Sequence, residues 1–295
     1  MITNWEGKTA VVTGGASGIG LAMAQSFARR GANVMLLDVE QMALDAALAG
    51  FEGSNAKVRG MRADVTYREQ LEDAAARVQA EFGPVHVLCP NAGVGGGGGP
   101  VQDLQERDWR WTLGVNLTGV VSTVDAFLPG MLRHGDEGHV VHTASMAGMI
   151  SPPNMAPYNV TKFGVVALAE AMAAELAESK VGVSVLCPGF VSTRIHESAR
   201  NRPEELQVER GHDIDVAGIT AALVTGGIPA DRVGERVVEA IEAGEFYVFT
   251  HPDMRAYVQA RFANIMAGFD SADRSPALQG LGPSAAIDIR PDGGQ

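Results

Sequence analysis

Short apolar runs alternate along this chain with longer stretches in which apolar residues recur every three or four positions. Residues 8–13 (KTAVVT) form the first run. A continuous run this short, bounded by glycines, predicts a strand covered on both faces. Ile19, Ala22, Met23 and Phe27 then fall at helical spacing, on one face of a helix that Gly31 stops. Residues 33–37 (NVMLL) are the second strand, ending at Asp38. The pattern continues with a helix over 41–49, a strand over 57–62, a helix over about 68–81 and a strand over 85–89. A long helical segment over 103–132 follows, then a strand ending at Ser145, a helix over 156–179 and a strand over 181–187. Residues 195–228 read as irregular, polar and charged, either a lid over a crevice or a surface loop. A helix over 231–243 and a strand over 246–249 come next. Beyond them Met254, Tyr257, Val258, Phe262, Ile265, Met266 and Phe269 repeat helically, and the tail from about residue 280 is polar and expected to be poorly ordered. Strands alternating with helices, with no repeat or linker, predict a doubly wound α/β domain over 1–250. Its parallel sheet has about seven strands with helices on both faces. Residues 251–295 form a C-terminal helix and tail, packed on the same domain or on a neighbouring subunit.

Composition narrows the function classes. The chain has 295 residues, 46% of them hydrophobic, enough for a sizeable core without disulfides or metal. A net charge of −12, with no basic run, argues against nucleic-acid binding. Cys89 and Cys187 each end an apolar run and read as small buried hydrophobes in a reducing compartment. The first residues, MITNWEGK, hold no signal-peptide core, and no stretch of about 18 apolar residues occurs, so a cytoplasmic protein with no membrane span is expected.

Three places carry chemistry. Gly14-Gly15-Ala16-Ser17-Gly18-Ile19-Gly20 joins the first strand to the first helix. Such a turn lets the backbone approach a pyrophosphate, and the helix N-terminus offers free N–H groups and a positive dipole end. Asp38, at the tip of the second strand, can accept both hydroxyls of an adenosine ribose and would repel a 2′-phosphate, so the expected cofactor is NAD rather than NADP. Without a ligand, the same turn is a tight bend with Ser17 as N-cap and Asp38 on the surface. Five glycines, 95–99, form either a flexible loop or room for a bulky substrate. Asn116 stands amid apolar residues at mid-helix, which is unfavourable unless its amide is satisfied.

Ser145, just past a strand, precedes Tyr158 and Lys162, which are four apart at the start of a helix and so share one face. A hydroxyl, a phenol and an ammonium at one spot suit proton transfer to or from an alcohol oxygen. Lowering a phenol pKa of about 10 to neutrality takes roughly 4 kcal/mol. A cation at about 4 Å in an effective dielectric near 20 supplies that much. Taken alone, a Tyr-x-x-x-Lys pair is more often a surface pair. His139 and His142 sit three apart on a strand and point to opposite faces, so they make no pair of metal ligands. Ser145 lacks the G-x-S-x-G elbow of a hydrolase nucleophile.

Taken together these motifs resemble the classical short-chain dehydrogenase/reductase family over roughly residues 5–250. The resemblance rests on Thr13-Gly14-x-x-x-Gly18-Ile19-Gly20, Asp64-Val65, Asn91-Ala92-Gly93, the set Asn116, Ser145, Tyr158 and Lys162, and Pro188-Gly189 with Thr193. Pro90 departs from it, standing where a second Asn is common, and so does the extension after residue 250. The resemblance implies that Tyr158 passes the proton, Lys162 lowers its pKa and holds the nicotinamide ribose, and Ser145 hydrogen-bonds the carbonyl oxygen. Asn116 would hold a water linking Lys162 to solvent. Asp64 and Val65 would lie beside the adenine, and Pro188, Gly189, Val191 and Thr193 against the nicotinamide. It also implies a homodimer or homotetramer. By position, Met146, Pro153, Met155, Phe190 and Ile195 line a substrate pocket for an apolar, bulky secondary alcohol or ketone. An aryl alcohol such as a lignin-derived Cα-alcohol is the favoured subset. Steroid-like or 3-oxoacyl substrates, and a non-catalytic NAD sensor, are the alternatives.

Overall fold

Apolar alternation sorts the strands of this fold, a computed structural model that describes residues 2–208 and 216–282. The elements run β1 (Thr9–Thr13), α1 (Gly18–Arg29), β2 (Asn33–Asp38), α2 (Gln41–Ala49), β3 (Val58–Arg62), α3 (Arg68–Phe82) and β4 (Val87–Cys89). They continue with α4 (Glu106–Leu113), α5 (Gly119–His134), β5 (Gly138–Thr143), α6 (Ala156–Glu175), β6 (Val181–Cys187), β7 (Val191–Ser192) and α7 (Val216–Thr225). The last are β8 (Ile228–Pro229), α8 (Ala230–Ala243), β9 (Tyr247–Phe249) and α9 (Arg255–Asp273). Seven strands pair in the order β3-β2-β1-β4-β5-β6-β9, every pairing parallel, and β7 with β8 forms a small separate ribbon.

Successive strand residues feed opposite layers, as a pleated strand requires. Val12, Val34 and Leu36 join Met23 and Phe27 of α1, Leu44 of α2 and Val237 and Ile241 of α8 on one face. Val11, Met35 and Leu37 join Leu71 of α3, Phe127 and Met131 of α5 and Val165 and Ala169 of α6 on the other. This is the Rossmann-type doubly wound sheet. From β1 the chain builds outward to β3, then returns to β4 beside β1. That reversal opens a crevice at the carboxyl ends of β1 and β4, where such sheets take ligands. Cys89 and Cys187 are both buried and unpaired, each at its strand end.

Two sequence expectations are corrected, and the C-terminal extension is only partly seated. The helical segment expected over 103–132 is two helices joined by a π-turn, Gly114–Thr118, that centres on the buried Asn116. The stretch Glu106–His134 has the length and apolarity of a membrane span, and here it packs against α3 and α6. The region expected to be irregular holds the apolar helix α7, while residues 209–215 of that candidate lid lie outside the described residues. The C-terminal helix is seated only at its start. Met254 and Val258 pack on the core, whereas Tyr257, Phe262, Met266 and Phe269 are all more than half exposed. The polar tail over 283–295 also lies outside the described residues.

Candidate active site

A cleft of about 1210 Å³ opens where the strands end and gathers nearly every candidate residue. On the β1–β4 side its wall is Gly14, Ser17, Gly18, Ile19, Asp38, Asp64, Val65, Asn91, Ala92 and Gly93. On the β5–β6 side it is Ser145, Met146, Met155, Tyr158, Lys162, Pro188, Gly189, Phe190, Val191, Thr193 and Ile195.

The glycine turn is built by steric need. Gly14 has φ +62, and a Cβ there would stand 2.9 Å from the Ala92 backbone. Gly20 was expected to touch the cofactor but faces inward. Its Cβ would fall 2.1 Å from the Gly14 carbonyl oxygen, so only glycine lets the first turn of α1 close on β1. The N-terminus of α1 has no side-chain cap from Ser17 and no acidic residue in its first turn, so its N–H groups and dipole are unmet. A pyrophosphate fits that open, positive end. Asp38 accepts from Ala16 N at 3.1 Å and from Glu40 N at 3.1 Å, which aims its carboxylate along the cleft wall. Burial pushes its pKa up, and these backbone bonds oppose the shift. Asp64 accepts from Thr66 N at 2.9 Å. Asn91 donates through Nδ2 to Thr13 O at 3.0 Å and accepts from Thr143 Oγ1 at 3.1 Å, tying the ends of β1, β4 and β5 together.

Ser145 caps the short 3-10 turn Met146–Gly148, accepting from Ala147 N at 3.0 Å. A hydrogen bond with Ser145 lowers the Tyr158 pKa, but burial raises it more, so the free site holds a neutral phenol. Lys162 is buried, donates to Thr143 O at 2.9 Å and lies 5.5 Å from the Tyr158 ring centroid. Burial pushes its pKa down to about 8.

Asn116 is not in the cleft wall. Its Oδ1 accepts from Val94 N at 2.8 Å and its Nδ2 donates to Val94 O at 2.9 Å, holding the chain just after Gly93. A Cβ on Gly93 would be 3.4 Å from that Oδ1 and 3.7 Å from Lys162 Nζ. Both ends of the amide are therefore satisfied by these bonds, which explains a buried Asn at a π-turn. Pro153 is also displaced. It is exposed and not among the cleft-lining residues, whereas its neighbour Pro152 is.

The glycine run is a packed wall, not a free loop. Gly95 N donates to Ser198 Oγ at 2.9 Å, and Gly99 N to Asn154 O at 2.9 Å. Sequence reasoning missed Trp111, His196, Arg202 and Met254, which also line the cleft. They sit far apart in sequence, with no motif spacing; the charge of the 195–207 segment was the only hint. His251 was missed too. Its Nδ1 accepts from Gly189 N at 3.2 Å, so the C-terminal extension braces the loop after β6.

Residues 8–204 match the model of the short chain dehydrogenase family. A structure of a short chain dehydrogenase/reductase from Burkholderia phymatum in complex with NAD is 36% identical, with a TM-score of 0.86 over 97% of this chain and 100% of that one. The 1-deoxy-11-beta-hydroxypentalenate dehydrogenase of Streptomyces exfoliatus is 34% identical over 88% of both chains. The C alpha-dehydrogenase of Sphingobium sp. strain SYK-6 is 28% identical over 92% of this chain and 90% of its own. The chain belongs to the short-chain dehydrogenase/reductase family and is an oxidoreductase of that family.

Proposed function

We propose that this oxidoreductase uses NAD to interconvert a secondary alcohol and its ketone. The observation that carries the reading is the convergence of the Ser145 hydroxyl, the Tyr158 phenol and the Lys162 ammonium in one cleft with the glycine turn and Asp38. The pyrophosphate would rest on Gly14, Ser17, Gly18 and Ile19 at the α1 N-terminus. Asp38 would take the ribose hydroxyls, Asp64 and Val65 the adenine side, and Asn91, Ala92, Gly93, Pro188, Gly189, Val191 and Thr193 the nicotinamide side. A carboxylate facing the ribose opposes a 2′-phosphate. Arg200 does approach this end, but its charge is taken by Glu40. When bound, the nicotinamide supplies or accepts the hydride.

The chain's own groups handle the proton. Tyr158 Oη gives it to the substrate oxygen in reduction and takes it in oxidation. A phenol kept neutral by burial suits the donor role at neutral pH. Ser145 Oγ donates to the same oxygen, where charge develops. Lys162 stabilises the phenolate left behind. Asn116 fixes the Gly93–Val94 backbone that borders Lys162. Whether it also holds a water leading to Lys162 is a separate proposal, carried by the resemblance alone.

Trp111, Met146, Met155, Phe190 and Ile195 give the cleft apolar walls, which favours a bulky substrate. An aryl secondary alcohol, such as a lignin-derived Cα-alcohol, is the first reading, supported by the likeness to the C alpha-dehydrogenase. A polycyclic, steroid-like alcohol is the second, supported by the greater identity to the hydroxypentalenate dehydrogenase. A panel of secondary alcohols with NAD and NADP, followed by absorbance of the reduced cofactor, tests the reading. Tyr158→Phe is expected to cut kcat by about 10²–10⁴-fold and to leave NAD affinity unchanged. Turnover at the wild-type rate would sink the mechanism, and faster turnover with NADP would sink the role given to Asp38.

A further inference from the structure

The 195–207 segment places a fixed cation in the cleft wall that proton transfer does not use. Arg202 ends the 3-10 turn Ile195–Asn201, and its side chain is 6% exposed. Nη1 donates to Asp108 Oδ1 at 2.9 Å, and Nε donates to the Leu206 carbonyl at 2.5 Å. The guanidinium carbon lies 5.0 Å from the centre of the Trp111 ring. The fork is thus held by an ion pair, a carbonyl and an aromatic face. Its third nitrogen, Nη2, is buried with no partner among the described residues. His196, on the same turn, has a buried Nδ1 that also lacks one among those residues. Both residues and Trp111 line the cleft. A buried polar atom left bare is unusual, and two such atoms on neighbouring residues that both line one cleft call for an occupant reached by a small shift of the 195–207 segment.

We propose that Arg202, with His196 beside it, forms a second polar subsite that receives an uncharged oxygen acceptor of the substrate, an ether, carbonyl or hydroxyl oxygen other than the one at the reacting carbon. This rests on the alcohol–ketone reading of the cleft and adds a substrate feature to it. The reacting oxygen is already provided for by Ser145 and Tyr158, neither of which bonds to Arg202. An uncharged acceptor follows from the pairing with Asp108. The guanidinium charge already faces a buried carboxylate, so an entering carboxylate would be desolvated beside a like charge. An ether or carbonyl oxygen completes Nη2 without that cost. A lysine could not serve in the same way, because the planar fork is what lets one cation stack on Trp111, pair with Asp108 and still present an N–H.

The test uses three matched secondary alcohols that differ only at the end remote from the reacting carbon: an ether, its methylene isostere and a carboxylate. Each is assayed with the wild type, with Arg202→Lys and with Arg202→Met/Asp108→Asn. The double variant removes both charges together, and Asn can still accept from Gln105 N as Asp108 does at 3.1 Å. In the wild type kcat/KM for the ether is expected to exceed that for the isostere by about 10- to 100-fold, mostly through KM. In both variants the ratio should fall below about threefold, as for one neutral contact. A ratio near one in the wild type, an unchanged ratio in the variants, or a preference for the carboxylate would each overturn the proposal. Equilibrium binding of unreactive ethers and their isosteres to the wild type, followed by tryptophan emission and calorimetry, reads the subsite without turnover. Equal affinity there overturns it as well. Failure of every alcohol to reduce NAD, with the ether still preferred in binding, would count against the alcohol–ketone reading and leave the subsite standing.

Discussion

Burial works against the charge of Lys162. Its pKa falls from the usual 10.5 to about 8 because the ammonium has left water, and among the described residues it donates to the Thr143 carbonyl. The difference corresponds to roughly 3 kcal/mol, of which the lost carbonyl bond would return about 1 kcal/mol. Lys162→Met is therefore expected to stabilise the fold by about 2 kcal/mol at pH 7 while removing turnover, as urea denaturation and the alcohol assay would report. The sign follows from linkage. The folded pKa lies below the unfolded one, so the penalty is complete below pH 8 and is relieved as the pH rises toward 10.5. The stabilisation by Lys162→Met should shrink over that window. A variant no more stable than wild type at pH 7 would mean that the ammonium is better solvated than its burial implies. Asn116 is satisfied where Lys162 is strained: both ends of its amide bond to Val94.

At the scale of elements, the 195–207 segment acts as a strap across the cleft. Arg200 and Asn201 bond to Glu40 just after β2, Ser198 accepts from Gly95, and Arg202 bonds to Asp108 on α4. The strap thus joins the end proposed for adenosine to the end proposed for substrate. Arg200 holds the Glu40 carboxyl below its usual range, with Asn201 adding to the effect. Glu40→Gln keeps the Asn201 contact and weakens the ion pair with Arg200. It is expected to speed NAD release by about two- to fivefold with little change in thermal stability, since a partly exposed pair contributes about 0.2–1 kcal/mol. Stopped-flow fluorescence of NADH dissociation measures this, and an unchanged rate would show that the strap does not gate the cofactor.

Among the described residues three histidines are buried in or beside the sheet. Burial pushes His86, His139 and His142 each down to about 4. Unfolded, they protonate near pH 6.5, so the unfolded chain takes up protons that the fold refuses between there and pH 4. Stability should fall steadily as the pH drops through that window, and urea midpoints at pH 7.5 and 5 would show it. His142 has both ring nitrogens buried without partners, so His142→Leu should flatten the fall by removing one proton uptake without breaking a bond. An equal slope in the variant would place the acid sensitivity elsewhere. The other whole-molecule feature is α9, whose aromatic stripe leaves the body after Val258.

The sequence by itself determined the order of strands and helices, the two-faced core and the residues at each strand end. Those follow from local rules: side-chain period, glycine at forced turns and the run of motifs from Gly14 to Lys162. The tertiary structure decided what depends on distant segments meeting. The packing contacts of Gly20 and Asn116, with the Gly14 carbonyl and the Val94 backbone, are set by how turns close in space. Pro152 replaced Pro153 because one step along a loop reverses which residue faces the cleft. Arg202 came to rest on Trp111, and His251 under Gly189, across gaps of 91 and 62 residues that no periodicity spans. The set proposed to handle the proton was legible because it is nearly contiguous around one strand end and one helix. The rest of the cleft wall was not, because it is assembled from α4, the strap and the C-terminal extension only after the chain has folded.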